Sequence, residues 1–253
     1  MSSSQGMHSP VAQFEIKPLI ELSFGGYDLS FTNSSLFMML AIGVSAAFLI
    51  SAMRGGALVP GRMQGLAEMI YEFVAEMVRS NVGHEGRPYF PFIFTLFVFL
   101  LFGNMLGLIP YSYTFTSQIV VTFAMAAFVF VGVTLIALFK HGLHFFSFFV
   151  PAGAPKVLIP FLIVIEVISY FVRPVSLSVR LFANMLAGHT MLKVFAGLAV
   201  MISGAGGLAM AGSLLPFVAL IGLTGLEVLV AALQAYVFTI LTCMYLNDAL
   251  HLH

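Results

Sequence analysis

The chain has 253 residues, of which 60% are hydrophobic and only 8% charged, and its mean hydropathy is +1.06. Ten Lys+Arg balance ten Asp+Glu, so no basic surplus marks it for nucleic acid, and a chain this apolar cannot bury its hydrophobic residues in the core of a water-soluble globule. Composition therefore excludes a soluble enzyme and assigns an integral membrane protein. Cys243 stands alone, which rules out a disulfide framework or a Cys-based zinc site within the chain.

Residues 1–33 carry Glu15, Lys17, Glu21 and Asp28 but no basic stretch followed by an apolar one, so they read as a short surface segment rather than a cleavable signal. Asn33-Ser34-Ser35 matches a glycosylation acceptor, which matters only in a secretory lumen. A bilayer core about 30 Å thick needs about 20 apolar residues per helix, and residues 35–53 supply the first such run. Between Arg54 and Arg87, the carboxylates of Glu68, Glu72 and Glu76 recur every four residues opposite Met63, Leu66, Ile70, Phe73 and Met77. That spacing predicts an amphipathic helix over 62–80, lying at the inner membrane surface and able to offer a docking face to a partner subunit.

From Pro88 to Phe139 there is neither a charged residue nor a histidine. The turn-like composition of residues 110–117 divides this run into spans at 89–109 and 118–139. The last apolar block folds at a glycine-rich turn, 203–212, into arms 157–203 and 213–247. As one helix the first arm would be roughly 70 Å long, more than twice the hydrocarbon thickness, so it either breaks near Pro174 or crosses the membrane strongly inclined; its charged and small residues favour inclination. The expected fold is an all-α integral membrane protein. It has about five membrane helices, with residues 34–253 forming a single membrane domain and the last two helices an antiparallel hairpin. Four Arg between 54 and 87 and two Lys between 140 and 156, against none in the loops at 110–117 and 203–212, put the N-terminus outside and the C-terminus inside.

An ionisable side chain near the bilayer centre costs about 2.5–3.5 kcal/mol and signals function by default. The hairpin holds Glu166, Arg173, Arg180, His189, Lys193 and Glu227. Arg173 and Lys193 can snorkel towards water, whereas Arg180 lies mid-arm. An antiparallel register turning near 207 sets Glu166 opposite Asp248, Arg180 opposite Gln234 and His189 opposite Glu227. Protonatable pairs at the outer and inner ends, separated by an arginine that cannot release its proton, suit two proton paths interrupted in the middle.

Ser178-Val-Arg-Leu-Phe-Ala-Asn-Met-Leu-Ala-Gly-His189 resembles the corresponding segment of subunit a of the F-type ATP synthase membrane sector. Similar matches run through Leu226-Glu-Val-Leu-Val-Ala-Ala-Leu-Gln-Ala-Tyr236, Phe102-Gly-Asn-Met-Leu-Gly-Leu-Ile-Pro110 and Tyr245-Leu-Asn-Asp248. The resemblance covers the chain beyond its first thirty-odd residues. It implies that Arg180 faces a rotating ring of c subunits, displaces the proton from each passing carboxylate and keeps two half-channels apart. It further implies that Glu227, His189, Asn184 and Gln234 serve the outer half-channel and its junction, that Glu166 and Asp248 line the inner one, and that the partners are the c-ring, the peripheral stalk subunit b and the rest of the ATP synthase complex. The order of His189 and Glu227 is similar to the mitochondrial and alphaproteobacterial arrangement, which favours a bacterial inner membrane over the mitochondrial inner membrane. No cofactor or metal is expected.

The competing class is a self-contained proton-coupled transporter, which should show paired repeats; none is visible in the sequence. An intramembrane enzyme would need more than Ser176, Ser178 or the surface pair His141 and His144. No Gly-x-x-x-x-Gly-Lys-Ser/Thr loop occurs, so this chain alone carries no nucleotide chemistry.

Overall fold

The computed structural model describes residues 15–21, 23–24, 27–28, 30–55, 59–109, 112–149, 158–204 and 212–251. The middle of the glycine-rich turn, Lys156 and Pro110-Tyr111 lie outside the described residues, as do the first fourteen residues and the last two. Six α-helices carry the fold: α1 Asn33–Met53, α2 Arg62–Val82, α3 Phe90–Gly107, α4 Ile119–His141, α5 Ile159–Gly204 and α6 Leu214–Leu250. All but α2 are long and apolar enough to cross a membrane, so the chain is an all-α integral membrane protein.

The N-terminal segment adds short antiparallel pairings that the composition did not announce, β1 Pro18–Ile20 with β4 Phe31–Thr32 and β2 Ser23–Phe24 with β3 Tyr27–Asp28. Asn33 ties this segment to α1: its side-chain oxygen accepts from the Lys17 amide at 3.2 Å, and its Nδ2 donates to the Glu15 carbonyl at 3.1 Å. Thr32 caps α1 by accepting from the Ser35 amide, satisfying one of the orphan donors of the first turn.

Helix α2 buries Ala67, Val74, Met77, Val78 and Val82 against α3, α6 and α1 and leaves its glutamates outward. It ends at Gly83, whose φ of +77° lies in the left-handed region that a side chain resists. A 3-10 turn, His84–Tyr89, then leads into α3.

The α3–α4 connection is packed inward rather than spread on a surface. Tyr113, Thr114, Phe115, Thr116 and Ser117 are all buried. Two glycines of α3 make room for them: a Cβ on Gly103 would collide with the Phe115 ring, and one on Gly107 would stand 2.6 Å from Thr114 Oγ1. Backbone and hydroxyl groups carried inward need partners; the Tyr113 hydroxyl has none among the described residues, but others of the connection do. Thr116 donates to Asn104 Oδ1 at 2.9 Å, and Asn104 donates on to the Ala231 carbonyl of α6 at 3.2 Å.

Helix α5 runs unbroken for 46 residues with Pro174 inside it, so the arm does not break there. At 1.5 Å per residue it is about 69 Å long. Its buried stripe, Leu177, Leu181 and Met185, packs on Ala231, Ala235 and Phe238 of α6 within a core shared with α3 and α4. Polar contacts between α5 and α6 step in opposite directions along the chain, Arg173 to Asp248, Asn184 to Gln234 and His189 to Glu227, which makes the pair antiparallel. Cys243 lies wholly inside this core.

Candidate functional site

Three polar levels line the α5–α6 hairpin. At the level nearest the turn, His189 Nδ1 lies 2.5 Å from Glu227 Oε1, with the two side chains only 11% and 4% exposed. Gly188 permits this approach, because a Cβ there would come within 2.8 Å of the same carboxylate oxygen. The imidazole is also gripped by the buried connection: Nε2 lies 2.9 Å from the Gly107 carbonyl and 2.9 Å from Thr114 Oγ1, while Nδ1 lies 3.1 Å from the Met185 carbonyl. The Thr114 hydroxyl itself donates to the Gly107 carbonyl at 3.1 Å. Both ring nitrogens thus face oxygens that can only accept, or that already donate elsewhere. Each ring nitrogen carries at most one proton to share among them, and the buried Glu227 Oε1 and Oε2 form no hydrogen bond among the described residues, despite the 2.5 Å approach of Nδ1 to Oε1. The cluster sets two groups whose side chains can each bind a proton beside one another.

At the middle level Asn184 donates to Gln234 Oε1 at 2.7 Å. Gln234 is buried, and its Nε2 has no hydrogen-bond partner among the described residues. Arg180 lies one turn from Asn184 on the exposed side of α5 and makes no ion pair or side-chain hydrogen bond among the described residues. It therefore does not face Gln234 as the register suggested. The reason is helix geometry: at about 100° per residue, the nine positions from Arg180 to His189 turn the two side chains to opposite faces, and His189 is the one turned inward.

At the third level Arg173 Nη1 donates to Asp248 Oδ2 at 2.8 Å. Its guanidinium carbon lies 5.7 Å from the Tyr170 ring and 5.3 Å from the Tyr245 ring, within cation–π range. Asp248 thus takes Arg173 as its partner, and Glu166, partly exposed, forms no ion pair among the described residues. The register slides because 16 positions of α5 (173 to 189) are matched by 21 of α6 (227 to 248), so the two arms do not keep a constant residue offset. Arg173 does not snorkel free either; the carboxylate and two aromatic faces hold it. Lys193 is exposed and without an ion pair among the described residues.

Lys140 pairs with Glu85 and donates to the Leu250 carbonyl, and His141 Nε2 donates to the Ala249 carbonyl at 3.1 Å. These contacts cap the last turn of α6 with basic groups, the favourable end of the helix dipole, and give His141 a structural task.

Thr114, Gly107 and Gly188 belong to the site and were not among the residues the sequence singled out. A threonine in a turn-like segment and two glycines carry no charge to draw attention. Their roles follow from the inward packing of the α3–α4 connection.

Residues 35–247 match the family described as ATP synthase A chain. A protein of Rhodospirillum rubrum named ATP synthase subunit a is 58% identical over 247 residues, covering 98% of this chain and 100% of that protein. Proteins of the same name are 57% identical in Parvibaculum lavamentivorans over 242 residues (96% of this chain, 93% of that protein) and 52% identical in Agrobacterium fabrum over 244 residues (96% and 98%).

Proposed function

Since the chain belongs to the ATP synthase A chain family, we propose that it is the proton-translocating stator subunit of the ATP synthase membrane sector. It provides two offset aqueous half-channels that load and unload protons on a rotating ring of c subunits. The observation that carries this reading is Arg180: a guanidinium exposed in the middle of a 46-residue membrane helix and unpaired among the described residues, with a protonatable pair towards one end and an ion pair towards the other.

A fixed cation on a membrane face calls for an anion from another chain. At about 4 Å and an effective dielectric constant near 20, a carboxylate meeting it gains about 4 kcal/mol, enough to favour the charged form and release the proton it carried. Once the proton has left, the same charge repels a second one, so protons cannot run straight from one path to the other. Glu227, His189, Asn184 and Gln234 serve the outer path and its junction with Arg180, the Gln234 amide being an available donor there. Glu166 and Asp248 serve the inner path. A direct leak would dissipate about 2.3 kcal/mol per proton per 100 mV, which is why the break matters.

In this reading residues 34–253 form one membrane domain in a bacterial inner membrane, preceded by an outer-side segment 1–33, with the C-terminus cytoplasmic. The loop and amphipathic helix between Arg54 and Arg87 lie near the peripheral stalk subunit b, and the α5–α6 hairpin lies inclined against the c-ring. The test is ATP-driven proton pumping in membrane vesicles carrying the assembled complex. Arg180→Ala and Glu227→Gln should both abolish pumping, and passive leak should appear only with Arg180→Ala. Wild-type pumping by the arginine variant would overturn the proposal.

A further inference from the structure

The α2–α3 turn builds a second polar site that uses none of the proton-path residues. The left-handed Gly83 ends α2 and swings the chain into the 3-10 turn, where the one acid and the bases part. Glu85 reaches across to Lys140, whereas His84 and Arg87 join Arg79 of α2 around a groove of about 610 Å³ walled by Tyr71, Val78 and Phe90. Neither Arg87 nor His84 has a side-chain hydrogen bond or ion pair among the described residues. Arg79 makes only a 3.7 Å contact to Glu76, with side chains 78% and 69% exposed, a pair that holds little in water.

The depth of this groove limits what can reach it. A charge-free run starts at Pro88, so α3 enters the hydrocarbon immediately beyond the groove, which therefore sits at headgroup level. Tyr71 packs on Phe90 and Phe94 there, with ring centroids 4.9 and 5.9 Å apart, the kind of aromatic belt that marks a membrane–water boundary. Guanidinium groups match phosphate oxygens in forked geometry. The volume lies in the range of ligand clefts, about 300–1,000 Å³, and the aromatic wall continues the groove towards the acyl region. Phosphate charge and an adjoining apolar tail occur together in a phospholipid.

We infer that this groove, formed by Arg79, His84 and Arg87 over Tyr71 and Phe90, binds the phosphodiester headgroup of an anionic glycerophospholipid. The acyl chains run along α3 past Phe90 and Phe94. Basic pockets of this kind at the membrane surface owe roughly a fivefold gain in affinity to each arginine.

The experiment uses the assembled complex in phosphatidylcholine nanodiscs doped with phosphatidylglycerol, with the lipid retained by the complex counted by native mass spectrometry. Phosphatidylglycerol should be enriched over its share in the disc. Arg87→Gln should retain about fivefold less and Arg79→Gln/Arg87→Gln about twenty-five-fold less, whereas Arg87→Lys, which keeps the charge and loses the fork, should fall between wild type and Arg87→Gln. A photoreactive side chain at position 71 should capture phosphatidylglycerol. No enrichment in the wild type, or wild-type retention by Arg87→Gln, would overturn the inference, as would capture at position 71 that yields protein and no phosphatidylglycerol. If Arg87→Gln does not assemble, capture at position 71 decides alone. Pumping by Arg87→Gln should persist, so the lipid site and the proton path fail or stand separately.

Discussion

Replacing Gly188 by alanine tests the proposed proton path with a single methyl group. Alanine improves helix propensity over glycine by about 0.8–1.0 kcal/mol, so a loss of function cannot be blamed on a weakened α5. The new Cβ would stand 2.8 Å from Glu227 Oε1, 3.1 Å from Cδ and 3.3 Å from Cγ, where ordinary contact begins near 3.4 Å. The carboxylate must therefore retreat by about 0.6 Å from a site in which its side chain is only 4% exposed and already 2.5 Å from His189. Misplacement of about 1 Å costs a positioned step on the order of a hundredfold, so ATP-driven pumping should fall roughly ten- to a hundredfold, equivalent to about 1.4–2.7 kcal/mol. Pumping is read with a pH-sensitive dye in inverted vesicles, normalised to the amount of assembled complex. Gly188→Ala/Glu227→Asp, whose acid is one methylene shorter, should recover part of the loss. Wild-type pumping by Gly188→Ala at normal assembly would refute the reasoning, as would a loss that only tracks reduced assembly.

Thr114→Val keeps the shape of the buried connection but removes the hydroxyl that meets His189 at 2.9 Å. Pumping should drop severalfold, matching a hydrogen bond worth about 0.5–1.5 kcal/mol, with complex assembly unchanged on native gels. Gly103→Ala drives a methyl into the Phe115 ring and should destabilise the subunit by about 1–3 kcal/mol, seen as a lower unfolding temperature in detergent. For Arg173 and Asp248, side chains 23% and 41% exposed, partial solvent screening limits the pair. A double-mutant cycle with Arg173→Gln and Asp248→Asn should give a coupling on the order of 1 kcal/mol in thermal stability, and additive effects would show that the pair does not hold the arms together.

What the sequence made legible was set by strong, local signals. Apolar runs of membrane-spanning length and the four-residue spacing of Glu68, Glu72 and Glu76 are one-dimensional patterns, and helices form there, although α2 buries Ala67, Val74, Val78 and Val82 with Met77 while Met63, Leu66 and Phe73 of the expected apolar face stay exposed. His189 and Glu227 stood out because ionisable groups are rare in such runs, and a hairpin register was enough to set them face to face. The same register misassigned Gln234 and Asp248, because a constant residue offset ignores the direction in which each side chain leaves its helix and the unequal advance of the two arms. Thr114 and the carbonyls of Gly107 and Met185 were out of reach of sequence reasoning: a backbone oxygen has no letter of its own, and inward packing of a short connection depends on tertiary space cleared at Gly103 and Gly107. The β1–β4 pairing fixed by Asn33 went unseen for the same reason, its strands being two and three residues long.

The exposed Arg180 also has a bearing on the life of the chain before assembly. A guanidinium at mid-bilayer costs about 2.5–3.5 kcal/mol, a sizeable fraction of the roughly 5–15 kcal/mol by which a folded domain is stable. With no anion paired to it among the described residues, the solitary subunit carries that penalty, by distorting nearby lipid or drawing water to the helix. A neighbour that brings a carboxylate to that face removes it. The residue proposed to divide two proton paths would therefore also make the subunit more stable in company than alone, and tie its persistence in the membrane to the supply of its partner.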